Sequence, residues 1–96
     1  AGDAERALGY YERSLKVAED LLAANPGSGQ AARDLVVSHY KLAGYGARTG
    51  DQTLAERQNA ACYQVLHRYV SAGFTFDPPV MQLYKALQQA QTGGAP

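Results

Sequence analysis

The chain carries no surplus of either charge, only one cysteine and no long apolar run, and each shortage removes a class of function. Nine basic and nine acidic side chains among 96 residues leave a formal net charge of zero. A dedicated nucleic-acid binder draws its affinity from clustered Lys and Arg, so nucleic acid is set aside as a partner. No stretch approaches the ~20 apolar residues that a membrane span needs. The polar start Ala1-Gly2-Asp3 does not read as a signal peptide, and no membrane association is expected. Cys62 has no second cysteine to pair with, which fits a reducing cytoplasm.

Chemistry is thinly supplied as well. His39, Cys62 and His67 are the only soft metal ligands, and none stands in the short-spaced pairs that a zinc site uses. Cys62 and His67 lie five apart and diverge around a helix. Cys62 also falls on an apolar stripe with no base placed to activate it, so it reads as a small core residue. Gly44 and Gly46 follow no strand and open no Gly-rich run, which excludes a phosphate loop. With no acid–base pair, nucleophile or cofactor loop to assemble, the expectation is a protein without catalysis, metal or cofactor.

What the sequence does contain is a repeat. Gly2-Asp3, with Ala7 five residues after the glycine, returns 48 residues later as Gly50-Asp51 with Ala55. Each copy opens a long amphipathic stretch, and a period in this range with helical content is the signature of stacked helices. From Asp3 to Ala24, Ala4, Leu8, Tyr11, Leu15, Ala18 and Leu22 form one stripe, while Glu12 and Lys16 stand in the favourable i, i+4 order opposite. Asn25-Pro26-Gly27 ends that helix, and Ser28 caps the next, which runs to about Arg48. Leu35, Leu42 and Ala43 on one side, with Val36, Val37, Tyr40 and Ala47 around the rest, predict a helix contacted on two faces. Either Asp51 or Thr53 caps the third helix, whose inner stripe is Ala55, Cys62, Leu66 and Tyr69. Asp77 caps the fourth, with Pro78 and Pro79 where no amide hydrogen is needed, and Val80, Leu83, Tyr84 and Leu87 pack it on one side. The prediction is all-α: four antiparallel helices near 3–24, 29–48, 52–72 and 78–91, no strand, and a frayed tail over about 92–96.

The string Gly-Asp-x-x-x-Ala, then Tyr11, Ser14-Leu15 and Asn25-Pro26-Gly27, resembles the second helix of a tetratricopeptide repeat. Arg33-Asp34-Leu35-Val36-Val37-Ser38-His39-Tyr40-Lys41-Leu42-Ala43, followed by Gly50-Asp51, is similar to the first helix of the next repeat. The long period and the Arg-Asp-Leu-x-Val-Ser-His stretch are closest to bacterial arrays with lengthened helices. The resemblance covers about residues 2–72, and it departs from the pattern at Gly46, where a large side chain is favoured, and at Asn59, where an aromatic is usual. It implies a single helical domain over 1–92: the second helix of one repeat (3–24), a complete repeat (29–72) and a capping helix (78–91). It also implies a superhelix whose first helices line a concave groove for a peptide or partner domain. On that correspondence Val37, Tyr40, Gly44 and Arg48 face the groove, Arg33 extends the line by a turn and Lys41 flanks it.

Two expectations of function follow. The first is a protein-interaction scaffold whose groove takes a segment with acidic groups, matched to Arg33, Lys41 and Arg48. The second is a structural, self-associating module of a larger bacterial signalling or enzymatic polypeptide. A start inside a repeat, without Met, reads as a piece of a longer chain, and leaves the Ala4/Leu8/Tyr11/Leu15 side of the first helix open for a homo-oligomer. Tyr40 and Tyr45 are the aromatic groove candidates, whereas Tyr11, Tyr63, Tyr69 and Tyr84 suit packing between helices. Gly44 and Gly46 permit either a close helix crossing or room for a ligand backbone.

Overall fold

A computed structural model of the chain describes residues 2–93. Its four helices are α1 (Gly2–Ala24), α2 (Gly29–Thr49), α3 (Gln52–Ser71) and α4 (Pro78–Gly93), and no strand occurs among the described residues. Connections this short force neighbouring helices to run antiparallel, and each helix packs on the next in chain order. The result is a plate of 43 × 40 × 19 Å, about two helix diameters thick. α4 continues two residues past its expected end at 91; the rest of the expected tail, 94–96, lies outside the described residues.

Each helix boundary has a local cause. Asp3 and Glu5 place negative charge at the positive end of α1. Its last turn closes on Asn25, whose backbone amide donates to the Leu21 and Leu22 carbonyls and whose side-chain amide donates to Leu21 as well. Ser28 Oγ accepts from the Ala31 amide at 3.0 Å and starts α2. Gly50, at φ +81°, ends it in the left-handed conformation that glycine adopts without a Cβ penalty. Of the two candidate caps for α3 it is Asp51 that serves, accepting from the Leu54 amide at 3.0 Å. At the far end the Gly73 amide donates to Val70 and the Phe74 amide to Tyr69. With Gly73 at φ +98°, that is a Schellman closure.

The core joins all four helices. Ala18 and Leu22 of α1, Ala32, Leu35 and Val36 of α2, Cys62, Val65, Leu66 and Tyr69 of α3, and Val80 and Tyr84 of α4 are buried together, with Phe76 added from the connection before α4. α2 packs on both α1 and α3 and buries Leu35, Val36, Leu42 and Ala43. Of the second set read from the sequence only Val36 is buried, while Val37 is half-buried and Tyr40 and Ala47 are exposed. Tyr69 spans the layers, donating its hydroxyl to the Pro26 carbonyl at 2.7 Å while its ring meets Phe74 edge-on.

Two details of α1 depart from the sequence reading. Leu8, Tyr11 and Leu15 are half-buried rather than open, and Leu15 packs on the core. The exposed apolar residues are Tyr10, Val17 and Leu21, on a neighbouring stripe of the same helix. The earlier assignment followed the strongest periodicity, which marks the side that α2 covers. Lys16 pairs with Asp20 at 2.9 Å, not with Glu12. Both geometries are available to an exposed lysine, and solvent screens such a pair strongly.

The tightest crossing lies at Gly46. A Cβ there would meet the Ala55 amide nitrogen at 2.8 Å and the Asp51 carbonyl oxygen at 2.9 Å, both backbone atoms of the α3 start. At Gly44 a Cβ would meet only the end of the Arg48 side chain, at 3.3 Å. The prediction is a contrast between two identical chemical changes. Gly46→Ala should destabilise by about 1–3 kcal/mol through overpacking, and Gly44→Ala should be neutral or stabilise by up to about 1 kcal/mol through helix propensity. Urea titrations of the two variants measure the difference directly. Leu42, 1% exposed at the same end of the α2–α3 contact, should lose about 2–5 kcal/mol on truncation to Ala. In the same titration Ala43→Leu, at a buried neighbour, should cost about 1–3 kcal/mol.

Candidate functional site

The residues expected to face a groove divide between two depressions that meet at Tyr40. In the first, Tyr40, Lys41, Gly44 and Arg48 of α2 lie between Tyr11 of α1 and Asn59 of α3, around a volume of about 340 Å³. In the second, Arg33, Val37 and Tyr40 of α2 face Pro79, Leu83 and Ala86 of α4 around about 460 Å³. Tyr40 stands on the ridge between them and is 55% exposed. Neither α3 nor α4 covers it.

The first depression owes its shape to small side chains. Gly44 sits in the floor with Ala43 and Ala47 beside it, four residues from both Tyr40 and Arg48, so the ring, the gap and the guanidinium share one helix face. The Arg48 side chain lies back toward Gly44. Asn59 is half-buried at the rim; an aromatic at that position, usual in the repeat pattern, would fill much of the space. Lys41 and Arg48 have no ion-pair partner among the described residues. The arrangement is one exposed phenol, two cations without an ion-pair partner and a glycine over which the Arg48 guanidinium lies. It can accept a chain carrying negative charge.

Arg33 is differently placed. Its Nε donates to Asp77 Oδ1 at 2.7 Å and its Nη2 to Oδ2 at 3.2 Å, a two-pronged pair tying α2 to the start of α4. Both side chains remain about two-fifths exposed. The Arg33 hydrogen bonds hold the Asp77 carboxyl below its ordinary range, and Asp77 in turn raises Arg33. This corrects two expectations. Arg33 is committed to a carboxylate of its own chain, and Asp77 caps α4 through its carbonyl, which accepts from Met81, while its carboxylate serves the ion pair. The side-chain caps Ser28 and Asp51 bind the amide three residues on, whereas Asp77 turns its carboxylate to Arg33.

Tyr45 is also structural. Its hydroxyl donates to the Ala4 carbonyl at 2.9 Å and its ring meets Tyr11 edge-on, which pins the N-terminal part of α1 to α2. Among the remaining polar residues, His39 is buried with Nδ1 2.7 Å from Gln58 Oε1, and its ring donates to that amide oxygen. His67 stacks in a trio with Tyr63 and Tyr84 and hydrogen-bonds the Tyr84 hydroxyl at 2.9 Å. Cys62 is fully buried beside the Val36 carbonyl, and burial pushes its thiol up to about 12. A thiol so raised is a poor nucleophile at neutral pH. No three His, Cys, Asp or Glu side chains converge on a metal-sized space among the described residues, and no described helix is long and apolar enough to cross a membrane.

Sequence reasoning did not pick out Tyr11, Asn59 or the α4 wall as lining residues. Asn59 carried a signal, as a departure from the repeat pattern. Pro79, Leu83 and Ala86 carried none, because which side of α4 borders α2 depends on the path of the 72–77 connection. Compared with protein-family models, curated proteins and solved structures, the chain finds no match.

The Arg33–Asp77 pair yields a pH prediction. Because the Asp77 carboxyl is depressed in the folded state, its stabilisation is fully present above the ordinary carboxylate value and is lost as pH falls through the lowered one. The Tm gap between the parent chain and Asp77→Asn should therefore be open near neutral pH and narrow progressively on acidification. A gap unchanged by acid would mean that the charged link contributes nothing.

Proposed function

We propose that this chain is a tetratricopeptide-like, non-catalytic interaction module that holds an acidic segment of a partner protein in the depression between Tyr40 and Arg48. The observation that carries this reading is the coincidence of an exposed tyrosine, two cations without an ion-pair partner and a glycine on about two turns of α2. Amphipathic rings anchor interfaces, and cations select the sign of the guest, with the Arg48 guanidinium held over Gly44 beside Tyr40. Beyond Tyr40 the α2–α4 cleft offers a second, adjoining depression. The Gly-Asp repeat, the double-sided α2 and the capping α4 support assignment to the bacterial long-repeat type. A cytoplasmic home is the companion proposal, supported by the lone, buried and unreactive Cys62.

Arg33 contributes to the wall and to the fold, whereas Lys41 and Arg48 supply the charge available to a ligand. The test uses a pool of Asp/Glu-rich peptides and a Lys-rich pool of the same length, with binding read by fluorescence anisotropy. The acidic pool should bind and weaken as salt rises, because exposed charges are screened over about 8 Å at physiological ionic strength. Tyr40→Ala and Arg48→Glu should each weaken it by about tenfold or more, equivalent to about 1.4 kcal/mol. Folding should change by about 1 kcal/mol or less, the scale expected for exposed positions and a helix-end charge. Equal binding of both pools, or indifference to both substitutions, would sink the reading.

A further inference from the structure

The exposed stripe on α1 points to a second surface, unconnected with the Tyr40 depression. Tyr10, Val17 and Leu21 are 59%, 58% and 48% exposed, and with Ser14 they edge a depression of about 360 Å³ whose other wall is Asp34 and Ser38 of α2. Large apolar side chains in one row, without cover, are the surface feature that most needs a partner.

The internal repeat shows what kind of object such a face receives. Moved forward by 48 residues, Tyr10, Ser14, Val17 and Leu21 become Gln58, Cys62, Val65 and Tyr69. On α3 those side chains are turned to α2 and its entry turn: Gln58 to His39, Cys62 to the Val36 carbonyl, Tyr69 to the Pro26 carbonyl. The opposite side of the same helix is equivalent too. Leu15, which packs in the core, corresponds to Tyr63, which stacks on Tyr84 of α4. So α3 has a helix on each side, and α1 has one on a single side.

We infer that the α1 stripe is the interface of a two-fold dimer, in which α1 of a second copy lies antiparallel across it. The spacing is self-complementary: four, three and four residues separate Tyr10, Ser14, Val17 and Leu21. Antiparallel pairing sets Tyr10 against Leu21 of the second copy and Ser14 against Val17, twice by symmetry. Along the outer flank, Arg13 then comes within about one helical turn of Asp20 of the second copy. Asp20 uses Oδ1 for Lys16 and keeps Oδ2 for that approach. A head-to-tail arrangement would instead press the apolar stripe onto the outside of α4, where Gln82, Lys85 and Gln89 are exposed. Apolar area is better matched by apolar area, so the dimer closes on itself.

Sedimentation velocity of the chain from about 10 μM to about 1 mM, the range of a modest interface, should show a concentration-dependent dimer. Val17→Glu should raise the dissociation constant by about tenfold or more while leaving circular dichroism and the thermal melt of the monomer unchanged. Arg13→Asp and Asp20→Arg should each weaken the dimer, and the double exchange should restore it. A monomer throughout the range, or a dimer indifferent to Val17→Glu, overturns the proposal. Single exchanges without rescue overturn the antiparallel register. Tyr40→Ala should not alter the dimer, so this result and the peptide test can fail independently.

Discussion

Helix α2 must be enclosed by neighbours on two sides, and the near-contact of its backbone with the start of α3 at Gly46 makes this possible. The Gly46 carbonyl accepts from the Gly50 and Asp51 amides, so the chain turns directly out of one helix into the next. A two-residue connection leaves no slack, and the first turn of α3 passes over the last turns of α2 at backbone distance. From there the helices run as a pair with Leu42, Ala43 and Ala55 buried between them. The order of residues along that pair sets which of them are left on the outside. Tyr40 and Arg48 are among those left, and so is the side of Gly44 that faces Arg48.

Much of the architecture was legible because the signals were local. Ser28, Gly50 and Asp51 act where their backbone conformations and side-chain oxygens dictate, and periodicity locates all four helices. What periodicity cannot do is separate two adjacent stripes on one helix. On α1 it marked Leu8, Tyr11 and Leu15, which α2 partly covers, and passed over Tyr10, Val17 and Leu21, whose spacing is just as helical. Which stripe a single neighbour covers depends on the angle of that neighbour, a tertiary quantity. On α2 the same ambiguity put Tyr40 and Ala47 among the contacted residues, and both are exposed.

The candidate site was legible in membership more than in role. All six residues expected near a groove line one of the two depressions, yet their electrostatic states differ. Arg33, Lys41 and Arg48 look alike in a sequence, but a carboxylate 44 positions away neutralises the first. The reason is again local chemistry with a distant consequence. At the start of α4 the Asp77 carboxylate can serve as a side-chain cap or as an ion-pair partner, and the two-pronged Arg33 guanidinium takes it. The same substitution of roles affects Tyr45, which supplies a hydroxyl to an α1 carbonyl rather than a ring to a ligand.

The two surfaces therefore differ in the physics they can exploit. Around Tyr40 the apolar area is small and the cations are free, so recognition there has to gain selectivity from charge and must weaken with salt. Along α1 the apolar row is long and its charges lie at the flank, so association there draws chiefly on desolvation, and charge decides direction more than strength. A stack with one apolar end and one polar end is also limited in how it can grow. The Gln- and Lys-bearing outside of α4 is poorly suited to extend the array, whereas the α1 end can be satisfied once, by a helix presenting a matching row. Closure of the α1 end by a second copy would leave the Tyr40 ridge open to a peptide.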